Sequence, residues 1–188
     1  MRGRISWTEA SDAELAALAA SGDGQAFEAL VRRHSAAVRG LLRRMGARED
    51  VADDIAQEAF IAAFRRISAY RGDGSMAAWL KQIAARLYVR RWRAEARYDL
   101  TETPEHEADE GPGPDGLLDL DQALNGLAPA ERLCVSLCTG AGFSHPEAAA
   151  LLNIPAGTVK SHVKRGLDKL RKRLAPPAEG RARSGLDV

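Results

Sequence analysis

The chain has 188 residues, 45% hydrophobic but only 5% aromatic, with 27 Lys and Arg against 26 Asp and Glu. That suffices for one domain or two small ones, and the dominance of Ala, Leu, Arg and Glu over β-branched runs points to an all-α fold. No stretch approaches the ~18–20 continuous apolar residues of a membrane span, which argues against membrane insertion and for a cytoplasmic location.

In chain order, Met1-Arg-Gly-Arg-Ile-Ser-Trp7 carries charge with no apolar segment behind it, unlike a secretory signal. A short helix is predicted over Asp12 to Ala20, broken by Ser21-Gly-Asp-Gly24. The next helix places Phe27, Leu30, Val31, His34, Val38, Leu41, Leu42 and Met45 on one face. His34 on that stripe reads as a hydrogen-bonded boundary residue, not a ligand. After Gly46-Ala-Arg-Glu-Asp50, a third helix from Val51 to Ile67 has a core face of Ile55, Ala59, Phe60, Ala63, Phe64 and Ile67. Its other face carries Asp54, Gln57, Glu58, Ile61 and Arg65. The loop Ser68 to Ser75 leads to a fourth helix, Met76 to about Arg97, with Trp79, Leu80, Ile83, Ala84 and Leu87 facing the core. Arg86, Arg90, Arg93 and Arg97, spaced four, three and four apart, form a cationic line, with Tyr88 and Trp92 beside it. Cations along a track with aromatic faces for unstacked bases suit single-stranded nucleic acid.

These helices make an N-terminal module over residues 12–97. Residues 98–116 hold three prolines and three glycines among acids and read as a flexible linker. Between Ala96 and Gly126 lie nine of the chain's acids against Arg97 alone, so the flanking modules are basic. The second module, residues 117–175, opens with Leu117 to Leu127. A helix starts at Pro129 and ends at Gly140 to Gly142. Cys134 and Cys138 on it read as buried free thiols, since adjacent turns disfavour a disulfide and too few ligands surround them for zinc. Ser144-His-Pro-Glu147 then has the form of a capping box. The helix it opens breaks near Asn153 and Pro155, and another restarts at Ala156 or Gly157. In this last helix Val159, Val163, Leu167, Leu170 and Leu174 form a buried stripe, opposite Thr158, Ser161, His162, Arg165, Lys169 and Lys172. This is a helix-turn-helix whose second helix suits the major groove. Residues 176–188 read as a polar tail.

Gly157-Thr-Val-Lys-Ser161, with Arg165 and Leu170-Arg171, resembles the recognition helix of bacterial RNA polymerase sigma factors of the sigma-70 family, in particular the small extracytoplasmic-function (ECF) group. Asp54-Ile-Ala-Gln57-Glu58-Ala-Phe60 is similar to the family signature that docks on the clamp helices of the polymerase largest subunit. Met76-Ala-Ala-Trp79-Leu-Lys-Gln-Ile-Ala84 is similar to its Trp-Leu-x-x-Ile-Ala element. The resemblance implies two helical domains, region 2 and region 4, joined by the linker. It assigns polymerase binding to Asp54, Gln57, Glu58 and Ile61. Capture of the opened −10 strand falls to Tyr70, Arg71 and Asp73 of the loop, with Arg86, Tyr88, Arg90, Trp92, Arg93 and Arg97. Reading of the −35 duplex falls to Thr158, Lys160, Ser161, His162, Lys164, Arg165 and Lys169, with Lys160 and Arg165 meeting bases and Ser161 and His162 meeting phosphates. Core RNA polymerase, promoter DNA and an anti-sigma factor are the implied partners.

The chain departs from relatives at Arg86 and Arg90, where the family commonly has Asn and Asp, and at His162, which replaces a frequent Arg by a weaker, pH-sensitive contact. Other readings of the same helix-turn-helix are a stand-alone transcriptional regulator or a sigma mimic that sequesters an anti-sigma factor. His34, His106, His145 and His162 are scattered, and no glycine-rich phosphate loop or nucleophile elbow occurs. The expectation is a protein that is not an enzyme and needs no cofactor or metal.

Overall fold

The computed structural model describes residues 9–72, 74–95 and 120–175. Asp73, Arg97, the linker expected over 98–116 and the tail over 176–188 lie outside the described residues. Within them the chain forms α1 (Asp12–Ala20), α2 (Gly24–Met45), α3 (Glu49–Arg65), α4 (Met76–Glu95), α5 (Leu120–Asn125), α6 (Pro129–Val135), α7 (His145–Leu152) and α8 (Ala156–Leu174). A 3-10 turn, Ile67–Ala69, follows α3, and a π-helical turn, Ser136–Gly140, extends α6.

Local chemistry sets most boundaries. Both α1 and α7 open on capping boxes: the Ser11 and Ser144 hydroxyls accept from Glu14 and Glu147 N–H, and each Glu carboxylate accepts from the serine N–H at 2.8 Å. The Ser11 backbone N–H holds the Glu14 carboxyl below its ordinary pKa, and the Ser144 hydroxyl does the same for Glu147. Asp23 caps α2 by accepting from Gln25 and Ala26, and α2 stops at Gly46, whose φ of 112° a side chain rarely adopts. Asn153 ends α7 in the left-handed region, φ 59°. Helix α3 starts two residues earlier than expected, at Glu49, and ends at Arg65, leaving Ile67 in the following turn.

Helices α1 to α4 enclose a core that includes Leu15, Leu30, Val38, Leu42, Ile55, Met76, Leu80 and Val89, each at most 1% exposed. Helix α1 is strapped to α2 by Asp12, which meets Arg33 at 2.7 Å and His34 Nε2 at 3.0 Å. His34 is thus a paired residue at the edge of the core. In the second module α7 and α8 pack over α6 through Leu133, Leu137, Ala148, Leu152 and Val159. Gly166 permits the α6–α8 approach: a Cβ there would sit 2.6 Å from Val135 Cγ2.

The two modules are docked rather than merely tethered, and one apolar cluster runs through both. Arg132 of α6 donates from Nε to the Arg44 carbonyl at 2.8 Å and from Nη2 to the Arg43 carbonyl at 2.5 Å. Ser136 Oγ adds a bond to the Arg44 carbonyl at 3.0 Å, and Arg44 pairs with Asp121 at 3.0 Å. Arg132 and Ser136 thus satisfy the Arg44 carbonyl at the end of α2, and Arg132 adds to the bond the Arg43 carbonyl already accepts from Gly46. At Gly140 an added Cβ would lie 2.8 Å from Leu41 Cδ1, so the modules approach closely there and a larger residue would make Leu41 shift. Helices α4 and α7 also touch. Two stripe assignments differ from expectation: Phe64 is 46% and Leu174 42% exposed, Leu174 as the last residue of its helix and Phe64 because it lies on the side of α3 shared with Ile61.

Candidate functional site

Helix α8 is set on the surface by α6 and α7. Lys160, Ser161, Lys164, Arg165 and Lys172 are exposed and Thr158 is half-buried. Ser161 Oγ donates to the Gly157 carbonyl at 2.9 Å, so only its lone pairs face outward unless that bond is exchanged. Asp168, paired with Arg171 at 2.7 Å, puts a negative charge midway along the exposed face. It confines the uninterrupted cationic surface to the first half of the helix, the end that enters a groove in this motif.

The expectation for His162 is corrected. The ring is 2% exposed and faces α6, out of reach of a phosphate. Its Nδ1 lies 3.1 Å from Arg165 Nη2, and Nε2 is buried without a partner. Lys169 is drawn to the same place, 2.8 Å from buried Glu131, which also has Arg165 Nε at 3.8 Å. Burial, and then the Arg165 charge, push the His162 pKa below 6.5, against an opposing pull from Glu131. The unfolded chain therefore takes up this proton first. The contribution to stability is whole above about pH 6.5 and falls as pH drops through 6.5 toward the folded value. Between pH 7.5 and 5.5 the melting temperature of the parent is expected to fall relative to that of His162→Leu, which lacks the titrating ring. Parallel curves would contradict this.

On α3, Asp54, Gln57, Glu58 and Ile61 share one exposed face, with Ile61 53% exposed. Phe64 joins them, a residue that sequence periodicity places in the core. Its ring meets Phe27 edge-on, centroids 4.9 Å apart, which fixes an apolar knob beside Ile61.

Before α4, Tyr70 Oη donates to the Gly74 carbonyl at 2.7 Å, and the Tyr70 and Trp79 rings stand 5.4 Å apart. With Arg71, Ser75, Ala78 and Gln82 they line an open pocket of about 300 Å³. Arg86, Arg90 and Arg93 are all exposed, but two of them are turned toward the second module: Arg86 sits 5.1 Å over the Phe143 ring and Arg93 donates to the Leu151 carbonyl at 3.3 Å. Tyr88 is 6% exposed, its hydroxyl 3.5 Å from the Met45 carbonyl, so it offers no face for a base in this arrangement. Trp92 is half-buried and lines a cavity of about 380 Å³ between the modules, with Met45, Leu127 and Arg132.

Cys134 is buried, its thiol pushed up to about 12 by desolvation, and Cys138 is raised for the same reason. Among the described residues no group of three His, Cys, Asp or Glu side chains could hold a metal ion, and no helix is long and apolar enough to cross a membrane.

Residues 30–98 match the family model for Sigma-70 region 2, and residues 117–170 match that for Sigma-70, region 4. The ECF RNA polymerase sigma factor SigE of Mycolicibacterium smegmatis is 33% identical, over 95% of this chain and 75% of that protein. RNA polymerase sigma factor NccH of Alcaligenes xylosoxydans is 36% identical, over 85% of this chain and 92% of its own length. Among solved structures, the sigma factor RpoE in complex with the anti-sigma factor NepR, from Bartonella quintana, superposes with a TM-score of 0.51 at 25% identity, over 79% of this chain and 96% of that one. With its all-helical, two-module fold, the chain belongs to the sigma-70 family of RNA polymerase sigma factors, in the extracytoplasmic-function group.

Proposed function

We propose that this sigma factor docks on the clamp helices of core RNA polymerase through the exposed face of α3, reads the −35 duplex with α8, and holds the opened −10 strand with the loop before α4 and with α4 itself. The observation that carries the reading is α8: a capped helix-turn-helix whose buried side is locked to α6 and α7 while Lys160, Lys164 and Arg165 are exposed on its outer side. Lys164 and the hydroxyls there hold the duplex by its phosphates, and Lys160 and Arg165 read base edges. Melting draws on captured bases, which offset the few kcal/mol of unstacking, with no nucleotide hydrolysis by this chain.

In the docked form Arg86 and Arg93 of α4 are engaged by the second module, so binding of polymerase and promoter goes with opening of the α2–α6 contact, with residues 98–116 as the tether. RpoE of Bartonella quintana was solved with an anti-sigma factor, and a partner of that kind is proposed for this chain.

Run-off transcription with core polymerase, on fully duplex and on pre-melted promoters, tests the function. Specific transcripts are expected on both templates only when this protein is added, and their absence on both would refute the reading. Lys164→Ala is expected to weaken holoenzyme binding about equally across promoters. It should lower the slope of log affinity against log salt by about 1, as for one phosphate contact. A promoter-selective effect would make Lys164 a base reader instead.

A further inference from the structure

We infer that Glu131 and His162 are positioning residues that set the direction of the Arg165 guanidinium and thereby which −35 base pair this sigma factor selects. The inference rests on the proposal that α8 reads the −35 duplex. Arg165 stands at the border between the exposed face of α8 and its contact with α6, its side chain 48% exposed. Two fixed groups hold its inner edge. Glu131, on α6 and 4% exposed in its side chain, faces Nε at 3.8 Å, and His162, one turn earlier on α8, lies 3.1 Å from Nη2. Lys169 anchors the other oxygen of the same carboxylate at 2.8 Å, which fixes the carboxylate in turn.

Arginine can only donate, so His162 Nδ1 must be the acceptor, and the neutral ring carries its proton on Nε2. That Nε2 is buried with no partner. A buried donor without an acceptor costs stability, and an apolar side chain of similar size would avoid that cost. The ring is therefore hard to explain by packing alone and easy to explain by what Nδ1 does. With Nε and one Nη2 proton turned inward, Nη1 and the second Nη2 proton point outward as a fork. That is the geometry that pairs with two acceptors on one base edge, as guanine O6 and N7 present in the major groove. A lysine could not be aimed this way, because a point charge has no edge to hold.

The test uses holoenzyme assembled from core polymerase and the full-length protein, with promoters in which each −35 base pair is replaced in turn. Arg165→Ala is expected to relax discrimination at one base pair by about tenfold or more. His162→Leu should relax the same base pair by a comparable factor, leaving the salt slope and non-specific duplex affinity unchanged. His162→Asn, whose side-chain oxygen can stand near the Nδ1 position, should restore discrimination. Glu131→Gln, which keeps shape and removes charge, should relax it in part and serves if the leucine variant does not fold. A merely structural role would instead lower affinity for every sequence alike, together with the melting temperature, and would overturn the inference. Discrimination lost in Arg165→Ala but intact in both His162→Leu and Glu131→Gln would overturn the positioning role while leaving base reading standing. Unaltered discrimination in Arg165→Ala would overturn both.

Discussion

The double substitution Gln57→Ala with Glu58→Ala is expected to abolish co-purification with core RNA polymerase while leaving thermal stability within about 0.5 kcal/mol of the parent. Both side chains are exposed in the middle of α3, and neither makes a hydrogen bond or ion pair among the described residues, so their loss costs the fold little. Their value lies in what they present: an amide and a carboxylate next to the apolar pair Ile61 and Phe64. An apolar centre ringed by polar groups is how binding energy concentrates at an interface, with central residues contributing about 2 kcal/mol or more each. Gln57 and Glu58 border that centre, and losing their hydrogen bonds to cationic groups of the partner, about 1.5–3 kcal/mol each, weakens association by about 100-fold or more. Ile61→Asp should act as strongly, by placing an unpaired charge at the centre. The measurement is co-elution on size exclusion with unfolding curves run in parallel. Undiminished co-elution of the double variant would remove the α3 face from the polymerase interface.

How far the sequence could be read followed the range of the forces involved. The capping box at Ser144, the break at Asn153 and the buried line Val159–Val163–Leu170 are written in closely spaced residues, and each stands where the sequence puts it, whereas the matching box at Ser11 went unread. Phe64 and Leu174 escaped because periodicity cannot say where neighbouring helices stop covering a stripe. His162 lies on the polar side of α8 by spacing, but α6 supplies the carboxylate that makes a polar lining there, and no pattern within α8 announces Glu131. Tyr88 was hidden for a related reason, since its hydroxyl meets the end of α2 at Met45, far away in sequence. That docking leaves little trace in sequence: the acceptors that Arg132 and Ser136 use are backbone carbonyls, which any residue provides.

Breaking the docked form should release the single-strand site. Arg132→Ala with Ser136→Ala removes three hydrogen bonds between the modules, two of them from a cation, worth on the order of 2–4 kcal/mol together. In the docked form Arg86 lies over Phe143 and Arg93 is turned to the Leu151 carbonyl, so two cations of the α4 line are committed to the second module. A site open only in a minor fraction of molecules binds more weakly in proportion to that fraction. The double variant is therefore expected to bind single-stranded −10 DNA about tenfold more tightly as free protein, at constant salt. Holoenzyme, in which the proposed function has the modules apart, should gain little. Returning Arg86 to Asn and Arg90 to Asp supplies the opposite arm. It deletes the cation on Phe143 and an exposed neighbour, so docking and strand affinity both weaken, and binding should fall even when Arg132 and Ser136 are also replaced. Fluorescence anisotropy with labelled single strands measures both sets, and permanganate reactivity of the open complex reports the strand in holoenzyme. If the Arg132 and Ser136 variant bound single strands no better than the parent, while small-angle scattering showed its modules apart, docking would not be what withholds α4 from DNA. If Arg86→Asn with Arg90→Asp left strand affinity and the bubble unchanged, the cationic line would serve the contact between modules alone.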